Sequence, residues 1–137
     1  MKNNYCIIKK ALSQELCSFL YNHLLLLDKR FLTFTHSRYI SAFNADHGTI
    51  NDGQVDGAFA IYSDPAFETL LVKIKPVLEK IVSKKLIEAY SYARLYRTGN
   101  ALNRYKDRYS CEFSCTLHLG GDKWPLFLEP SGKMHQK

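Results

Sequence analysis

A chain of 137 residues with 46% hydrophobic and 23% charged content amounts to about one domain, long enough to bury one core and too apolar for wholesale disorder. The formal charge of +6 admits a polyanion or a small dianion as partner and equally a solvated basic face, since net charge bears on partners and not on fold. Cys6, Cys17, Cys111 and Cys115 form no C-x-x-C pair and no zinc spacing, MKNNYCIIKK lacks the apolar run of a signal peptide, and Leu24 to Leu27 is too short to span a bilayer; the expectation is a soluble, cytoplasmic protein with reduced thiols and no membrane partner.

In chain order, Tyr5 to Ile8 reads as a short opening strand. Ser13 is a plausible N-cap, and Leu16, Phe19, Leu20, His23, Leu24 and Leu27 recur at helical spacing, which predicts a helix of about four turns ending near Asp28 to Arg30. His23 falls on or beside the apolar stripe, where a core or boundary histidine is expected. From Arg30 to Gly57 the periodicity breaks down into a long loop, with a short strand around Arg38 to Phe43 and with His36 and His47 solvated; loops of this length often act as lids or binding edges.

Ala58 to Tyr62 predicts a strand. Asp64-Pro65 is a helix start, cap then proline, and Phe67, Leu70, Leu71, Ile74, Leu78 and Ile81 continue one face, with Pro76 expected to kink or split it. Lys73, Lys75, Lys80, Lys84 and Lys85 read as its wet side. From Leu86 the period changes to two, and the chain reads as β to its end through turns at 98–100, 120–122 and 130–132. No internal repeat or linker divides the chain, so residues 1–137 are expected to form a single domain. Helices first and an antiparallel run after them predict an α+β fold with the helices on one side of a sheet.

The stretch Tyr90 to Leu119 carries the most chemistry. Two apolar-rich runs flank a Gly turn and a polar knot, Arg104 to Arg108, followed by the alternating run CEFSCTLHL; Asp107 is expected at a corner between strands, aimed toward a cavity. Ser110 and Ser114 have no His/Asp partners at useful spacing, and Gly48, Gly53 and Gly57 match no phosphate-loop pattern. Glu112 is expected to pair with Arg108 and Arg94 in a structural ion pair that fixes the polar corner.

The order Tyr92-x-Arg94-x-Tyr96-x-x-Gly99, then Lys106-Asp107-Arg108, then Cys111-Glu112-x-Ser114-x-Thr116-Leu117-x-Leu119 resembles the 2-oxoglutarate/iron(II)-dependent dioxygenases of the prolyl-4-hydroxylase-like kind, and the likeness extends loosely from Val55 to Gly132. The resemblance implies N-terminal helices on a double-stranded β-helix, a jelly-roll or cupin-like barrel of about eight strands around a pocket. It implies Fe(II) and 2-oxoglutarate as cofactors, and a peptidyl or other hydroxylation substrate. Such iron sites use two imidazoles and one carboxylate with open positions opposite. Asp107 matches the carboxylate, Tyr105 stands where the first imidazole of the family's His-x-Asp pair belongs, and Tyr96 and His118 match positions that face the co-substrate.

The second imidazole and the basic residue that holds the co-substrate would lie beyond Lys137. Thirty residues follow Asp107, enough for about three more strands, so a C-terminally incomplete barrel is expected. His135 comes too early, in a Gly/Lys-rich tail, to replace that imidazole. A phenol of pKa about 10 is a poor ligand for ferrous iron. The expectation is therefore a truncated, inactive relative; the alternative is a non-catalytic binding module whose basic cleft takes a polyanion or protein partner, nucleic acid being the less expected. An open sheet edge would further admit a homodimer.

Overall fold

The computed structural model describes residues 4–41, 43–50 and 52–129. The described chain is α+β: two α-helices, one short 3-10 turn and a two-stranded antiparallel sheet. None of its helices is long and apolar enough to cross a membrane.

Helix α1 spans Gln14–His36. Ser13 caps it, its hydroxyl accepting from the Leu16 N–H at 3.2 Å. Leu20, Leu24, Leu27 and Phe31 are buried at helical spacing, each worth about 1.5–3 kcal/mol of transfer free energy. The helix runs past the predicted stop near Arg30. The Thr33 and Thr35 hydroxyls donate to the carbonyls of Lys29 and Phe31 in the turn before them, so these threonines sit within the helix instead of breaking it, and Phe31 completes the apolar stripe.

Beyond Ser37 the chain turns sharply, with Arg38 at φ 57° and Tyr39 N–H donating to the Phe34 carbonyl, so no strand forms at Arg38 to Phe43 among the described residues. A 3-10 turn at Ala45–His47 leads to Gly48. Gly48 has φ 103°, and a Cβ there would collide with the Phe59 ring.

Strand β1, Phe59–Tyr62, is buried through its first three residues and pairs with β2, Tyr92–Leu95, in the register Phe59↔Leu95, Ala60↔Arg94, Ile61↔Ala93 and Tyr62↔Tyr92. Thr49 forms a bridge with Ala60 on the other edge of β1, two hydrogen bonds of 2.8 Å. Helix α2, Pro65–Val82, starts as predicted: Asp64 accepts from the Ala66 N–H at 3.0 Å and Pro65 needs no donor at the first position. It continues unbroken through Pro76, contrary to a split. The carbonyl this proline leaves unbonded belongs to Val72, a residue 59% exposed, so water reaches that face.

Phe67, Leu70 and Ile74 of α2, the α1 stripe, and Phe59, Ile61 and Ala93 of the sheet close one core. Two polar pins hold it. His23 Nε2 lies 2.9 Å from Oδ1 of the buried Asp64, tying α1 to the cap of α2, so His23 is the boundary histidine expected. Glu68 accepts from both the N–H and the hydroxyl of Ser91 at 2.7 Å, tying α2 to the start of β2.

Two strand expectations fail. Tyr5 to Ile8 is irregular and exposed, and residues 101–129 contain no strand among the described residues. A strand borrows its hydrogen bonds from a neighbour, whereas a helix supplies its own, and neither stretch has a neighbouring strand here. The turn at 98–100 forms, with Asn100 N–H donating to the Arg97 carbonyl at 3.0 Å; the turn expected at 130–132 lies outside the described residues.

Candidate functional site

Alternation along β2 divides its residues between two faces. Ala93 and Leu95 join the core, so Tyr92, Arg94 and Tyr96 project from the opposite face of the sheet, away from the helices. The loop at 52–55 covers this face. Arg94 is buried there, its side chain 8% exposed, between the rings of Tyr92 and Tyr96, whose centroids lie 5.1 and 5.6 Å from the guanidinium carbon.

Three acceptors meet this cation. Arg94 Nη2 donates to the Asp52 carboxylate and to Gln54 Oε1 at 2.7 Å, and Nη1 donates to the Tyr96 hydroxyl at 3.1 Å. Asp52 is itself buried and accepts the Tyr92 hydroxyl at 2.8 Å and the backbone N–H groups of Gln54 and Val55 at 2.8 and 2.9 Å. Among the described residues Arg94 Nε has no partner.

Each group titrates as this packing dictates. Burial pushes the Asp52 carboxyl up, but the Val55 N–H, the Tyr92 hydroxyl, the Gln54 N–H and Arg94 together hold it below the ordinary value. Burial, and then the bond to Asp52, push the Tyr92 phenol up to about 12. Burial works against the charge on Arg94, yet Tyr96, Tyr92 and Asp52 keep it firmly protonated.

The motif residues are only partly brought together. Tyr96 joins the Arg94 cluster and packs edge-on against Trp124. Tyr105 lies near enough to feel Arg94, Tyr96 and Asp107; partial burial, then the Asp107 charge, raise its phenol above the ordinary value. Asp107 is exposed, in irregular chain before the turn at Tyr109 and Ser110, not at a corner between strands. His118 is exposed too, its Nε2 3.1 Å from the Asp122 carbonyl, in a stretch that is not a strand.

The expected ion pair of Glu112 with Arg108 and Arg94 is replaced by other pairings. Glu112 accepts from Lys84 at 2.8 Å, while Arg94 takes Asp52. Lys84 ends up beside Glu112 because it follows the left-handed Ser83 that closes α2. Sequence reasoning missed Asp52, Gln54 and Trp124. The Asn51-Asp52-Gly53 string signals a turn but not the partner forty-two residues away. An open polar groove of about 520 Å³ lies beside this cluster, lined in part by Gly53, Gln54, Asn100 and Asn103.

These residues do not fit the cofactors that the motif implies. Asp107 offers one carboxylate, and its neighbour Tyr105 is a phenol held more firmly protonated than usual, a poor donor to ferrous iron. No three His, Cys, Asp or Glu side chains converge as a metal set among the described residues, and His135 lies outside them. Arg94, the cation beside Tyr96, is already neutralised by Asp52 and so is not available to a dicarboxylate such as 2-oxoglutarate. Comparison with protein-family models, with curated proteins and with solved structures gives no match.

Proposed function

We propose that this chain is a scaffold of the 2-oxoglutarate/iron(II) dioxygenase kind, the helical flank and first strands of a jelly-roll, that does not turn over the co-substrate. The motif from Tyr92 to Leu119 supports the kinship. The pair Tyr105 and Asp107 carries the reading on activity: where an imidazole and a carboxylate would hold iron, a carboxylate stands beside a phenol whose proton its own charge helps to retain. The test is succinate release from 2-oxoglutarate as a function of added iron(II). No release above a metal-free control is expected, from the native chain or from Tyr105→His, since the single change supplies one imidazole where two are needed. Iron-dependent succinate from the native chain would overturn the reading.

A second reading, a binding module for polyanions, is favoured by the exposed run Lys106 to Tyr109. Tyr109 is fully exposed, and Lys106 Nζ stands 5.9 Å from its ring centroid, an alternation of cation and aromatic suited to phosphate and base. Titration of the same preparation with single-stranded nucleic acid at two salt concentrations separates the two: a steep salt slope favours this second reading.

A further inference from the structure

The run Cys111 to Leu119 has the sequence of a strand without the hydrogen bonds of one. Its two-residue period survives in the structure. Cys111, Phe113, Leu117 and Leu119 are half-buried, with Leu117 and Leu119 packed on the core, whereas Glu112, Ser114, Thr116 and His118 are exposed. The segment is anchored at its start by Cys111 Sγ, 3.5 Å from the Tyr90 hydroxyl, and by Glu112 on Lys84. Glu112 and Phe113 lie in a bend, and from Ser114 to Leu119 the segment contains no turn or bend, so the extended core of the run is Ser114 to Leu119. Apart from Cys111 N–H to the Arg108 carbonyl, its backbone makes no hydrogen bond with another backbone group among the described residues. Edges of this kind are ordinarily protected by lysine, proline or a bulge, and Phe113 to Leu119 carries neither lysine nor proline.

We propose that this segment is a docking edge for a second copy of the chain, the two copies pairing antiparallel through the same residues about a two-fold axis at Cys115. The sequence is self-complementary in that register. Phe113 then faces Leu117 of the other copy, Cys111 faces Leu119, Ser114 faces Thr116, and Glu112 faces His118, so apolar meets apolar on the inner face and an acid meets a base on the outer one. Cys115, exposed although it belongs to the inner-facing set, sits on the axis. Among the described residues Glu112 binds Lys84 through Oε1, leaving Oε2 for the facing chain. A two-fold pairing satisfies the N–H and C=O groups of alternate residues in both copies without any further chain, the closed geometry usual for homodimers.

The experiment is sedimentation velocity on the full chain, under reducing conditions, across the micromolar range. The native chain is expected to form a particle of twice the 15.8 kDa monomer mass. Ser114→Lys with Thr116→Lys places like charges directly opposite each other twice, and should weaken the dimer by on the order of tenfold or more. Ser114→Lys with Thr116→Glu places opposite charges there and should restore it. Both positions are exposed, so thermal melts of the variants should match the native chain. A native chain that stays monomeric at high micromolar concentration overturns the proposal, as does a dimer that responds equally to the Lys/Lys and Lys/Glu pairs.

Discussion

About half of residues 14–95 and about two-fifths of residues 96–129 are apolar, yet only the first stretch folds into a packed body. Every buried hydrophobic residue among the described residues lies between Leu20 and Ala93, and none of residues 96–129 is buried. The difference is one of hydrogen-bond supply. In the first stretch two helices satisfy their own backbones and press β1 and β2 into a sheet; in the second, an alternating pattern finds no neighbour strand and stays irregular. Apolar pattern sets the face a segment would bury, and the partner decides whether it becomes an element.

Substitutions in the two stretches should differ several-fold in effect. Phe31→Ala removes a ring that is 1% exposed and packs 5.7 Å from Phe59, and should cost about 3–5 kcal/mol in a urea titration. A smaller loss would show that the core closes around the gap and would narrow the contrast. Asp52→Asn keeps the shape but removes the charge facing Arg94, with an expected cost of about 1–3 kcal/mol.

The same carboxylate makes stability depend on pH. Its folded pKa lies below the ordinary 3.8, so its contribution is complete above that value and is lost as pH falls through the lower folded value. Native and Asp52→Asn proteins should therefore differ most at neutral pH and converge in strong acid; a constant gap would show that the charge is not what matters. The smallest effect belongs to the second stretch: Glu112→Ala breaks an ion pair with Lys84 whose partners are 69% and 58% exposed and should shift stability by less than about 1 kcal/mol.

Much of the first stretch was legible in the sequence because its signals are local. Ser13, Asp64 and Pro65 start helices at the positions they occupy, and both apolar stripes line the core. The end of α1 was misjudged because Thr33 and Thr35 resemble loop residues until their hydroxyls are seen on the preceding turn. The site was legible only along β2, where a two-residue period puts Tyr92, Arg94 and Tyr96 together. What closes on them comes from Asp52 and Trp124, remote in sequence and in stretches with no periodicity to announce them. The proposed kinship rests on a string of residues, and the positions of Asp107 and His118 in irregular chain are what that string alone did not convey.

Gly120 carries a further implication. A side chain there would bring its first carbon within 2.7 Å of Cγ of Tyr21, on the opposite side of the molecule's sequence, and within 2.8 Å of the neighbouring ring carbon. The route of the C-terminal tail is thus threaded over α1 at a crossing point that admits hydrogen and nothing larger. Alanine at 120 would have to lift either the tail or the tyrosine ring, so a single methyl group could redirect a stretch that has no secondary structure to redirect.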